Sequence, residues 1–208
     1  MSQRDQNLRR LESEVFDVAI VGAGINGAVC AAAVAARGGR VVLVDSRDFA
    51  GFTSQHSSNL IWGGIKYMEN YEFGLVNDLC KSRNDLLESF PSTVQEIRFL
   101  TTITKNFRFH PWIMYAGTWL YWLFGRGKTE MPRLYNAAQM KAREPLIKIS
   151  DGVRGIEYSD AYLHDNDSRF VFNFVRSAVD HGAVAVNYLR SAAATRESRV
   201  DLGRLVSR

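Results

Sequence analysis

The residues with the clearest chemistry are three glycines and an acid. Gly22, Gly24 and Gly27 stand in the run Gly22-Ala23-Gly24-Ile25-Asn26-Gly27, directly after the apolar stretch Val18-Ala19-Ile20-Val21. Asp45 closes a second apolar stretch, Val41-Val42-Leu43-Val44. A strand, a G-x-G-x-x-G turn, a helix and a second strand ending in an acid form the pattern of a dinucleotide-binding βαβ unit. The acid falls about 20 residues beyond the glycines, where a ribose hydroxyl needs an acceptor. Gly24, lacking a Cβ, lets a pyrophosphate approach the backbone, and Gly27 lets the helix lie close on the sheet. The first turn of that helix offers unpaired N–H groups and a dipole that favours phosphate.

Two further segments carry polar chemistry. Thr53-Ser54-Gln55-His56-Ser57-Ser58-Asn59 is rich in small hydroxyl donors and has little apolar content. It is expected to be a loop running over a ligand or a helix entry. Trp62-Gly63-Gly64-Ile65-Lys66-Tyr67 follows, its glycine pair allowing the backbone to approach something flat. Lys66 by itself reads equally well as a surface residue keeping its charge in water. His56, His110, His164 and His181 are scattered, with no pair at ligand spacing, so no metal site is expected. Asp160, Asp165 and Asp167 lack the glycine and terminal glutamate of a calcium loop and are expected to form a solvated acidic turn, with Asp167 as a helix N-cap.

The elements that must position these groups follow from periodicity. Apolar spacing predicts helices over Leu75–Phe90, Asn136–Arg143 and Ser168–His181, and strands over Ile97–Thr104, Val153–Tyr158 and Ala183–Tyr188. The late strand, helix and strand are expected to rejoin the parallel sheet begun at Phe16. The fold class is therefore α/β, a Rossmann-like domain with a parallel central sheet interrupted by a mainly helical excursion. The expected partition is a polar tail over 1–14, the cofactor domain over 15–70 and 151–190, the excursion over 71–150, and the start of a continuation over 191–208.

The most apolar run, Pro111 to Gly125, is shorter than the ~20 residues needed to cross a bilayer. It is expected as a helix packed on the protein's own core, while its aromatics, with Arg126 and Lys128 just beyond, leave peripheral contact with a membrane open. Hydrophobic residues make up 46% of the 208, which describes a globular chain. The net charge of +4 comes from basic residues spread along the sequence, so no nucleic-acid partner is expected. Cys30 and Cys80 are far apart in sequence, Cys30 within a small-residue helix where a buried thiol is expected; a reducing compartment, the cytoplasm, is the natural setting. Met1 to Glu14 lacks the apolar run of a secretion signal and reads as a frayed tail.

At Ser57-Ser58-Asn59-Leu60-Ile61-Trp62-Gly63-Gly64-Ile65-Lys66-Tyr67-Met68-Glu69-Asn70-Tyr71-Glu72-Phe73, and again at Glu157-Tyr158-Ser159-Asp160, the chain resembles the FAD-dependent glycerol-3-phosphate dehydrogenases. The resemblance runs from Phe16 to about Leu189. It implies a flavoenzyme that oxidises the C2 hydroxyl of sn-glycerol 3-phosphate to dihydroxyacetone phosphate and passes electrons to quinone or, in oxidase relatives, to oxygen. It implies FAD contacts at Gly22, Gly24, Gly27, Asp45, Thr53, Ser54, Ser57 and Ser58, and contact with a small phosphorylated substrate at Lys66 and Tyr67.

Two positions depart from the family pattern: Trp62 stands where the family has His, and Lys66 where it has Arg. Lysine neutralises a phosphate as a point charge without the bidentate fork, and tryptophan offers a flat face and one donor but no base. Family members continue for hundreds of residues beyond this length, so the chain is expected to be the N-terminal, cofactor-binding part. A flavin-dependent amine or amino-acid oxidase, and an inactive FAD-binding module, are the alternative expectations. No catalytic acid or base is assigned.

Overall fold

The computed structural model describes residues 2–147 and 154–191 and, beyond them, only the backbone stretches 195–196, 200–201 and 205–207. Val153, expected to begin a strand, and most of the expected continuation 191–208 lie outside the described residues. Up to Val186 the elements in chain order are α1 (Gln3–Ser13), β1 (Val18–Val21), α2 (Ile25–Ala35), β2 (Val41–Val44), β3 (Leu60–Ile61), a 3₁₀ helix (Ile65–Asn70), α3 (Phe73–Ser89), β4 (Val94–Ile103), α4 (Pro111–Phe124), β5 (Arg133–Tyr135), α5 (Ala137–Arg143), β6 (Arg154–Leu163), α6 (Asp167–Asp180) and β7 (Val184–Val186), and short strands follow. They form two compact units, Met1–Ser58 with Asp165–Arg208, and Asn59–His164.

The first unit is built on a parallel sheet ordered β1-β2-β7. Central β2 is Val-Val-Leu-Val and fully buried, as expected of a parallel strand covered on both faces. On one face, Ala28, Ala31, Ala32 and Ala35 of α2 meet Val171, Val175 and Ala178 of α6. Alanine at these positions lets two helices share one side of a narrow sheet. Cys30 lies on the exposed side of α2, not among these alanines, so the expected buried thiol is corrected; Cys80, in the other unit, is the buried one.

The N-terminal residues are not a frayed tail. Ser2 and Asp5 form a reciprocal capping box that starts α1, and Asn7 Nδ2 donates to the Ala185 carbonyl at 3.0 Å. Leu8 and Leu11, one turn apart, pack on Val42, Val44, Val184 and Val186. The apolar pair is too sparse to stand out in a polar stretch, and it is the sheet that gives the helix something to bury against.

The second unit contains an antiparallel sheet. Central β6 pairs with β4 over ten residues, and with β3 and β5 on its other side. This corrects the expectation that the strand near Val153–Tyr158 rejoins the parallel sheet; only β7 does so. It also moves the partition, because β3 and β6 hydrogen-bond to each other and so Asn59–Asn70 and Arg154–His164 fold with the excursion. Helices still outweigh strands over 71–147, and α3 and α4 bury Val76, Cys80 and Tyr121 with Ile65, Met68, Phe124 and Tyr158. Between β6 and α6 the N-cap is Asn166, at φ +90°, whose side chain accepts from the Ser168 N–H; the expected cap, Asp167, is the first helical residue.

Candidate functional site

In the first unit the glycine turn joins β1 to α2. Gly22 adopts φ +104°, a conformation that favours glycine, and its N–H donates to the Val44 carbonyl at 2.8 Å. A Cβ on Gly27 would overlap the Gly22 carbonyl oxygen, so this glycine permits the close approach of α2 to the strand end. Gly24 is the N-cap of α2, contributes no side-chain cap, and has no atom within 4 Å of where a Cβ would stand. The first turn of α2 carries no acidic residue. The result is an open, positively polarised ledge bounded by backbone N–H groups, which suits a diphosphate.

Asp45 lies beside this ledge, as the spacing required. Its carboxylate is already engaged: Oδ2 accepts from the Ala23 N–H at 2.7 Å and Oδ1 from the Arg47 N–H at 2.9 Å. The acid therefore ties the glycine turn to the end of β2. Thr53, Ser54, Ser57 and Ser58 follow in a chain of turns and bends; Ser54 is buried, while Thr53 and Ser58 are exposed. Arg47 lies over the Phe52 ring at 4.6 Å and helps fold this segment back.

The remaining expected site residues, Lys66 and Tyr67, belong to the second unit. Antiparallel β3 leads into Gly63 and Gly64, the latter at φ +81°, and the 3₁₀ helix begins immediately after. Lys66 is exposed and makes no ion pair among the described residues. Tyr67 is half-exposed and tilts against Trp62, with ring centroids 5.7 Å apart. The short helix thus carries a cation, unpaired among the described residues, and a phenol, and the phenol meets the indole of Trp62 from just before it.

Sequence reasoning missed the groups beneath it. Asp160, expected in a solvated turn, is fully buried on β6. Its Oδ1 accepts from the Gly63 N–H at 3.0 Å, from Arg83 Nη1 at 2.8 Å and from the Tyr121 hydroxyl at 2.5 Å. Arg83 is 1% exposed and Tyr121 is 2% exposed, so this ion pair lies in the core. Burial pushes the Asp160 carboxyl up from its ordinary range while its three donors pull it back, and the Tyr121 phenol is pushed up by burial and by the neighbouring carboxylate. Cys80 Sγ lies 3.7 Å from the Gly63 carbonyl oxygen, and burial raises its thiol as well. The available signal was Asp160 inside the strand-forming run Ile156 to Leu163, where an acid on the inner face requires a buried cation.

A family model described as FAD dependent oxidoreductase matches residues 17–205. Glycerol-3-phosphate dehydrogenase 2 of Mycobacterium tuberculosis is 36% identical over 185 residues, covering 88% of this chain and 31% of the relative. Glycerol-3-phosphate dehydrogenase of Pseudomonas aeruginosa is 38% identical over 184 residues, covering 88% and 35%. The chain therefore spans about a third of the length of these curated relatives. Among solved structures, the glycerol-3-phosphate dehydrogenase from Bacillus halodurans complexed with FAD superposes with a TM-score of 0.66 at 23% identity, covering 94% of this chain and 31% of the other. L-proline dehydrogenase from P. horikoshii has a TM-score of 0.64 at 15% identity, covering 88% and 47%; at such identities these two likenesses concern the fold.

Proposed function

Because the chain belongs to the FAD dependent oxidoreductase family, we propose that it is the flavin-holding part of an enzyme oxidising the C2 hydroxyl of sn-glycerol 3-phosphate to dihydroxyacetone phosphate. Electrons would pass on to a quinone or to oxygen. The observation that carries the substrate reading is the exposed cation of Lys66, unpaired among the described residues and set behind a glycine pair in a chain 36–38% identical to glycerol-3-phosphate dehydrogenases.

The residues fit the cofactor. The open space at Gly24 and the uncapped start of α2 admit a diphosphate, and Thr53, Ser54, Ser57 and Ser58 offer hydroxyls in the segment that follows. Asp45 acts here by holding the turn through the Ala23 N–H, and any contact with a ribose hydroxyl uses its remaining lone pairs. FAD, when bound, supplies the acceptor for the hydride equivalent leaving C2. Lys66 neutralises the phosphate as a point charge, and Tyr67 and Trp62 add a phenol and an indole N–H. The group that takes the hydroxyl proton is assigned to none of these residues.

Gly24→Ala tests the cofactor assignment. The added methyl meets no protein atom, so the fold is retained, and FAD affinity followed by flavin fluorescence should fall at least about tenfold, the loss of about 1.4 kcal/mol. Unchanged FAD binding would remove the ledge from the site. Anaerobic flavin bleaching by glycine or sarcosine, but not by glycerol 3-phosphate, would favour an amine or amino-acid substrate instead.

Peripheral membrane contact belongs to the same proposal. No helix among the described residues is long and apolar enough to cross a membrane. In α4 only Thr118 and Tyr121 are buried, whereas Trp112, Ile113, Leu120 and Leu123 are exposed. Replacing Ile113 and Leu123 by serine should abolish co-sedimentation with anionic liposomes, and unchanged co-sedimentation would rule this face out.

A further inference from the structure

The buried cluster under Gly63 performs no step in the reading above, yet it is costly to build. An ion pair that is 1% and 0% exposed gives up most of its hydration, and such pairs contribute little net stability. The three donors converge on one oxygen of Asp160, and Oδ2 has no hydrogen-bond partner among the described residues. A pair serving stability alone would satisfy both oxygens. Of the three donors, the Gly63 N–H is the backbone one, and Gly63 stands three residues before Lys66.

The surroundings of Gly63 are fitted to that contact. A Cβ there would overlap the Tyr121 hydroxyl and lie 3.0 Å from Cys80 Sγ, so the backbone is seated directly on the cluster. The next residue, Gly64, takes φ +81°, and its carbonyl accepts from the Tyr67 N–H at 2.9 Å to open the 3₁₀ helix. The direction in which Lys66 and Tyr67 leave the sheet is therefore set at Gly63 and Gly64. Opposite Asp160 in register, β4 supplies Ile97, which is apolar, so no competing polar group from that strand shares the carboxylate.

We propose that Asp160 is a positioning residue for substrate phosphate, fixing Lys66 and Tyr67 through the Gly63 N–H, with Arg83 and Tyr121 holding its carboxylate in place. This rests on the reading that Lys66 and Tyr67 take the phosphorylated substrate. Tyr121→Phe removes one donor while keeping the ring, and Asp160→Asn retains an acceptor for Gly63 but unpairs Arg83. Val76→Ala, in the same apolar cluster and with no hydrogen-bonding group in its side chain, serves as the packing control.

The test uses the 208-residue chain and two readouts: hydrogen exchange of the Gly63–Tyr67 amides, and the dissociation constant for glycerol 3-phosphate. Tyr121→Phe is expected to speed exchange at Gly63–Tyr67 and to weaken glycerol 3-phosphate about tenfold, the equivalent of one lost hydrogen bond to a charged group. FAD affinity should stay within about twofold of wild type, a difference of about 0.4 kcal/mol. Asp160→Asn should do the same more strongly, whereas Val76→Ala should lower the unfolding midpoint without changing the dissociation constant. Variants that bind glycerol 3-phosphate like wild type, or that leave exchange at Gly63–Tyr67 unchanged, overturn this inference alone. An equal loss of affinity in Val76→Ala also overturns it, since the cluster would then act only through stability. A wild-type chain that binds no glycerol 3-phosphate overturns the substrate reading and this inference with it.

Discussion

Gly27→Ala is the most direct check on how the glycine turn is built. Gly27 lies in the first turn of α2, and a Cβ placed there overlaps the Gly22 carbonyl oxygen, with the Gly22 carbonyl carbon at 3.1 Å and Ile20 Cγ2 at 3.2 Å. Ordinary carbon contacts are about 3.5–4.0 Å, so a methyl enters only if α2 moves away from β1. The main obstacle is backbone and cannot rotate aside. Overpacking costs about 1–3 kcal/mol, and a rigid obstacle places this substitution at the upper end. Alanine's better helix propensity offsets about 1 kcal/mol, leaving a net loss of about 2 kcal/mol. In a protein of this size each kcal/mol moves the midpoint by about 2–4 °C, so thermal unfolding followed by circular dichroism should shift down by about 4–8 °C. Gly117→Ala, inside α4 with no atom within 4 Å of its Cβ, is the matched control and should gain up to about 1 kcal/mol. If Gly27→Ala melts with or above wild type, the close α2–β1 approach is not what the glycine serves, and the reasoning fails.

Acid should destabilise the second unit through Glu157. Burial opposes its ionisation, but bonds from Arg98, Tyr135 and Arg143 outweigh it and hold the carboxyl at about 2. A native value below the unfolded one, about 4.3, gives stability that is present above that pH and lost as pH falls toward 2. Glu157→Gln should flatten the dependence of the urea midpoint on pH over that window; an unchanged slope would count against the network. Lys66→Arg restores a bidentate fork and should tighten glycerol 3-phosphate binding by up to about tenfold in calorimetry, whereas weaker binding would show that the site is shaped for an ammonium. Ser2→Ala removes half of the capping box and should cost about 1 kcal/mol, seen as faster amide exchange confined to α1.

The glycine turn was legible in sequence because every determinant of it is local. Gly22, Gly24 and Gly27 act within one turn, the alanines of α2 recur at helical spacing, and the strand that carries Asp45 is uniformly apolar. The Lys66-Tyr67 run stood out for a similar reason, since it lies directly after a glycine pair.

What the chain could not reveal locally was decided by strand pairing. Whether β6 joins the parallel or the antiparallel sheet depends on hydrogen bonds to β4 and β3, tens of residues away, and a period-two pattern is the same in either case. That choice turns Asp160 inward, and only there do Arg83 from α3 and Tyr121 from α4 reach its carboxylate. The docking of α1 on β7 is of the same kind, since two leucines one turn apart acquire meaning only when Val184 and Val186 lie beneath them. Sequence by itself determined the cofactor class, through groups that act on their own neighbours. Tertiary structure decided which charges are buried and so which groups meet the Gly63 backbone, because burying a charge requires partners that only the folded chain brings together.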